Sequence, residues 1–157
     1  MNMIKIFPAL FLISMFGCNS TTDSSNQDTL LLSKLTKDGV VFTLTITKNT
    51  FDLADTLKGA FNVSNQSDSL KRFNFANIQQ LGFRLSDTSG KVFLYAPIIV
   101  SPALSGLILQ SGESKDYVIL SRFKNHDGDY IDRKEYKLTA YLLDNNSPAV
   151  ALVITVR

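Results

Sequence analysis

The chain has 157 residues, 45% of them hydrophobic, with 16 lysines and arginines against 14 aspartates and glutamates and a net charge of +2. Nearly balanced charge without a basic patch argues against a nucleic-acid binder, and a single cysteine excludes an internal disulfide. The length suits one domain with a sizeable buried core, which packing alone must hold together.

The N-terminal residues 1–5 carry one lysine, residues 6–16 form a short apolar stretch, and Gly17 precedes Cys18. That layout is an export signal, too short in its apolar part to span a bilayer. The run Ser14-Met15-Phe16-Gly17-Cys18 resembles a bacterial lipoprotein lipobox. The resemblance implies cleavage after Gly17, acylation of the Cys18 thiol and anchoring to the lipid bilayer of the bacterial cell envelope. Asn19 stands where some lipoproteins carry a retaining aspartate, which implies the outer membrane. The alternative, an ordinary secretory signal ending near a cysteine, leaves a free thiol in an oxidising compartment.

Removing the signal peptide 1–17 leaves 140 residues with 15 basic and 14 acidic side chains, since Lys5 departs. Residues 19–29 have no apolar side chain, so they cannot offset the entropy of ordering. They read as a tether that holds the domain roughly 20 Å from the lipid. We divide the chain into a signal peptide at 1–17, a lipidated flexible tether at 18–35 and a β-sandwich at 36–157. Residues 30–35 have room for one helical turn.

From residue 40 the apolar pattern has period two. Phe42, Leu44 and Ile46 alternate with Thr43, Thr45 and Thr47, which predicts a half-buried strand. Leu57, Gly59, Phe61 and Val63 repeat the pattern and stop at the turn-forming run Asn65-Gln66-Ser67-Asp68. A short strand carries Phe73 and Phe75. Leu81, Phe83 and Leu85 lead through Asp87-Thr88-Ser89-Gly90 into residues 91–95, a hairpin. Strands are also expected over 107–109, 117–120, 136–143 and 149–156, the last two joined across Asp144-Asn145-Asn146-Ser147-Pro148. Eight or nine short strands with near-regular turns predict an all-β, antiparallel sandwich, and no segment of the mature domain makes a convincing amphipathic helix.

The order of these elements resembles the BsuPI-type intracellular proteinase inhibitor family over residues 40–157. The residues that carry it are Phe61-Asn62-Val63-Ser64-Asn65-Gln66-Ser67-Asp68, Phe73 and Phe75, the hairpin on Asp87 and Gly90, Leu109-Gln110-Ser111-Gly112-Glu113-Ser114, and Tyr136-Lys137-Leu138-Thr139-Ala140. The family's tryptophans have no counterpart, Ser111 stands for its proline, and Glu135 replaces a turn glycine. The resemblance implies an immunoglobulin-like sandwich and a proteinase-inhibitor role. Fold likeness alone does not transfer activity.

Catalytic candidates are few. His126 is the sole histidine and lies in a polar loop beside Asp127, with no Gly-x-Ser-x-Gly elbow in the chain. Ser121 and Lys124 have Ser-x-x-Lys spacing but lack its companion motifs. We therefore expect no enzyme. Asn125, Asp127, Asp129 and Asp132 put four oxygen side chains around Gly128, yet the spacing departs from a calcium loop and Tyr136 occupies the closing twelfth position. Turn chemistry accounts for them, and neither a metal nor a cofactor is expected.

Residues 92–109 include no charge, but Pro97, Pro102 and Gly106 argue against a membrane helix. A strand, a loop and a second strand fit better. Part of that loop is expected to cover the core, which would bury Ile98, Ile99 and Val100. In the alternative, Ile98, Ile99 and Leu104 point outward as a partner-contact patch. Two functions remain. One is an envelope inhibitor that offers a loop, 98–104 or 122–133, to a serine protease. The other is a non-inhibitory binding or structural module contacting a larger envelope protein.

Overall fold

The structure, a computed structural model, describes residues 30–99 and 101–157. The signal peptide, Cys18 and residues 19–29 lie outside the described residues. Alternation sets the faces. In β2 (Val40–Ile46), Phe42, Leu44 and Ile46 are buried while Thr43 and Thr45 face outward. In β4 (Thr56–Asn65) the buried set is Leu57, Phe61 and Val63.

Three sheets are built from eleven strands among the described residues. The first joins β1 (Leu31–Lys37), β2, β4 and β9 (Ser114–Arg122) in that order. The second runs β3 (Thr50–Phe51), β11 (Val150–Val156), β10 (Glu135–Leu142), β6 (Leu81–Ser86) and β7 (Val92–Ala96). A two-stranded ribbon pairs β5 (Lys71–Phe75) with β8 (Ser105–Leu109). Every pairing is antiparallel except that of β3 with β11. This is the expected all-β sandwich, with no helix among the described residues.

Phe42 and Phe61, on neighbouring strands of the first sheet, stack at 6.3 Å, and the two sheets meet through Phe51 of β3 against Phe123, which follows β9, at 5.2 Å. Ile119 and Leu57 from one sheet and Leu85, Leu138 and Ile154 from the other belong to the same buried cluster. Each such side chain contributes about 1.5–3 kcal/mol by leaving water.

Residues 30–35 form no helical turn. Leu31–Lys37 is a strand, paired with β2 from Leu31 opposite Ile46 to Lys37 opposite Val40. The cause is the two-residue turn Asp38-Gly39, whose φ angles of 52° and 77° suit the twist of a tight hairpin. At Gly39 a Cβ would come within 2.6 Å of the Ser67 Cβ, so glycine is also required for space. The ordered sandwich thus begins at Leu31, inside the segment expected as tether up to residue 35.

Candidate functional site

The connection between β7 and β8 leaves the second sheet at Ala96 and enters the ribbon at Ser105. It does not fold back over the core. Ile98, Ile99 and Leu104 are 63%, 80% and 91% exposed, so the expectation that this loop buries its isoleucines is corrected. Phe75, Leu107 and Leu109 of the ribbon already belong to the buried core, which is closed without these side chains.

Exposure here does not mean a slack loop. The Ser101 amide donates to Gln79 Oε1 at 3.1 Å, and the Ser101 carbonyl accepts from the amides of Ile78 at 3.4 Å and Ala103 at 2.8 Å. Ser105 Oγ donates to the Asn77 carbonyl at 2.6 Å. Gln80 extends this bracing: its Oε1 accepts from Tyr117 Oη at 2.8 Å, and its carbonyl accepts from the Leu143 amide at 2.8 Å. Burial pushes the Tyr117 phenol up to about 12, which keeps it a neutral donor.

The bracing segment adds an apolar group that sequence reasoning missed. Ile78 is exposed, and its backbone bond to Ser101 sets it beside the loop. Its sequence context, Asn77-Ile78-Gln79-Gln80, has no periodicity from which exposure could be read. Ile78 also borders a groove of ≈ 480 Å³ whose opposite wall is Lys115, Asp116, Tyr117 and Val118 of β9. Among the described residues, strand β9 pairs with β4 alone, so its other edge lies along this groove.

The second loop considered, residues 122–133, is closed on itself. The Ile131 amide donates to the Phe123 carbonyl and the Asn125 amide to the Asp129 carbonyl, at 3.0 and 2.8 Å. Phe123 and Ile131 are buried, leaving the tip around Asp127 and Gly128 exposed. Asn125 Oδ1 accepts from the amides of Asp127 and Asp129 at 3.0 and 2.9 Å, which is the turn chemistry expected for this run. His126 packs edge-on to Tyr95, with ring centroids 4.2 Å apart. Cys18, the proposed lipidation site, lies outside the described residues.

Asp87, at the turn between β6 and β7, accepts from Ser89 Oγ at 2.5 Å and from the Ser89 and Lys91 amides at 3.0 Å. The Ser89 hydroxyl and these amides hold its carboxyl below the usual range. Asn65, at the end of β4, is fully buried. Both fasten turns.

No protein-family model and no curated protein matches the chain. Solved structures to which it is similar include a β-glucosidase from Listeria innocua, at 14% identity and TM-score 0.42 over 81% of this chain and 16% of that one. Another is the β-glucosidase EmGH1 from Erythrobacter marinus, at 14% identity and TM-score 0.46 over 82% of this chain and 16% of that one. The sporulation control protein Spo0M from Bacillus subtilis aligns at 12% identity and TM-score 0.50 over 77% of this chain and 50% of that one. The chain therefore spans 16% of the glucosidases' length and half of Spo0M's. At such identities the likeness concerns the fold alone.

Proposed function

We propose that this protein is a lipid-anchored module of the bacterial cell envelope whose β-sandwich binds a larger surface protein through the loop after β7. The observation that carries the reading is the pairing of exposure with rigidity: Ile98, Ile99 and Leu104 stand in water on a loop whose Ser101 is held at both its amide and its carbonyl. A partner that covers them gains about 25 cal/mol per Å² of apolar surface. The existing hydrogen bonds reduce the ordering cost of binding.

Inhibition of a serine protease is the second reading, and it agrees with the family resemblance. The same bracing favours it, because a loop held out by a rigid sandwich can lie in a protease cleft as an added strand.

One experiment separates the two. The full chain and its Ile99→Asp variant are cross-linked in their own membranes, then purified and assayed against a panel of serine proteases, with mass spectrometry of the products. A cross-linked larger protein that is lost in the variant supports the binding module. Dose-dependent inhibition with cleavage or protection mapped to residues 97–104 moves the weight to the inhibitor. A free monomer that leaves every protease active overturns both.

A further inference from the structure

The outer face of the first sheet carries an apolar band that no part of the described chain covers. Its strand registers align Leu32 with Thr45, Thr45 with Ala60, and Ala60 with Val118, giving one row across all four strands. The next row toward the end of the sheet where the chain enters places Lys58 opposite Leu120. Leu30, the first described residue, continues the outward parity of Leu32. Leu32, Val118 and Leu120 are 55%, 71% and 61% exposed. A solvent-facing sheet surface ordinarily alternates to polar residues at these positions, as Thr43 and Asn62 do one row further on.

The charges around the band are mostly positive. Lys58 shares the row of Leu120, Arg122 lies beyond it opposite Thr56, and Lys34 flanks the other side. The acidic side chain on this face is Asp116, which accepts from Asn62 Nδ2 at 2.8 Å in the row of Lys34. Long basic side chains around a shallow apolar centre match an anionic phospholipid surface: the apolar groups enter the headgroup boundary while the cations reach phosphate.

Leu30, where the described residues begin, lies at this same end of this same face. We infer that the outer face of the β1-β2-β4-β9 sheet docks on the anionic lipid surface to which the chain is tethered. This inference rests on the lipid-anchored reading above. A tether of about a dozen residues keeps the face at high effective concentration near the bilayer, so individually weak contacts suffice. Docking in this orientation would also restrict the directions in which residues 97–104 can meet a partner.

The chain has no tryptophan, so a single introduced tryptophan reports its own surroundings. The full lipid-modified chain bearing Val118→Trp, Leu120→Trp or Val153→Trp is reconstituted into phosphatidylglycerol and phosphatidylcholine vesicles with brominated acyl chains. Val153 is an exposed control on the second sheet. Docking predicts bromine quenching at 118 and 120 about threefold that at 153, reduced by Lys58→Glu and by high salt. Equal quenching at all three sites, or none while the protein floats with the vesicles, overturns the docking and leaves the anchor standing. A concentration-dependent blue shift without bromine quenching overturns it in favour of a second copy on this face. Failure to float overturns both the docking and the anchor.

Discussion

Asn65 Nδ2 donates to the Leu109 carbonyl at 3.0 Å, tying the end of β4 to the end of β8 across 44 residues of sequence. The same nitrogen reaches the carbonyls of Ser69 and Gln110 at 2.8 and 3.0 Å, and Oδ1 accepts from the Ser67 amide and hydroxyl at 3.0 and 2.7 Å. Main-chain bonds from Asn65 to Glu113 and from Gly112 to Asn65 close the knot. Asn65→Ala strips buried carbonyls of their donor and is expected to cost about 2–4 kcal/mol. Asn65→Asp should cost a similar amount, because a carboxylate has no proton to give. Urea titration reads both as a lower midpoint at unchanged slope.

Gly59 sits in the central strand β4, where an added Cβ would meet the Thr45 carbonyl oxygen at 2.9 Å and Ile46 Cγ2 at 3.1 Å. Alanine ordinarily improves a strand, but here the obstacle is backbone in a paired neighbour. Gly59→Ala is expected to destabilise by about 1–3 kcal/mol. A gain in melting temperature would contradict the packing described.

Asp55 binds Lys48 at 2.6 Å and accepts from the Asp52 amide at 2.9 Å, and these bonds hold its carboxyl below the ordinary 3.8. A carboxyl depressed in the folded state stabilises above its unfolded pKa, and that contribution is lost as pH falls through the folded one. Asp55→Asn should therefore flatten the acid limb of stability below 3.8. Denaturant titrations across that range measure it.

Tyr136 is pushed up to about 12 by burial, with the charges of Asp132 and Asp87 adding to the effect, and burial alone does the same for Tyr117. Phenols raised in the folded state stabilise fully below their unfolded pKa of about 10 and cease to do so as pH rises toward 12. Both should ionise late in the tyrosinate ultraviolet absorbance. Tyr136→Phe should remove one late step, at the further cost of the bond from Tyr136 Oη to the Asp132 carbonyl.

Ile99→Asp and Leu104→Asp should leave unfolding within about 0.5 kcal/mol of the parent chain, because both side chains already face water. Phe75→Ala, at a buried position of the ribbon, should cost about 3–5 kcal/mol. Parallel melts of the three variants distinguish a presented loop from a core cover.

Most strands were legible because one face of each is buried, which imposes period two: β2, β4, β6 and β10 announce themselves by alternation. Strand β1 did not. As an edge strand it exposes Leu32 and Leu35, and only its antiparallel register with β2 gives Leu31 and Ser33 an inner side. Strand β3 is two residues long and exists through parallel pairing with β11, from the far end of the chain. Ile98, Ile99 and Leu104 were legible as a candidate patch, but whether they covered the core was not, because that depends on what the β5-β8 ribbon had already filled. Ile78 left no sequence signal.

Composition and alternation alone determined an all-β sandwich without disulfides, because side-chain period and turn chemistry act over a few residues and need no distant partner. Which strands share a sheet, which apolar side chains are left in water, and that Asn65 closes β4 onto β8 were decided by the tertiary structure. Those outcomes depend on competition for the same inner surface among segments far apart in the chain, and local pattern holds no record of which one wins.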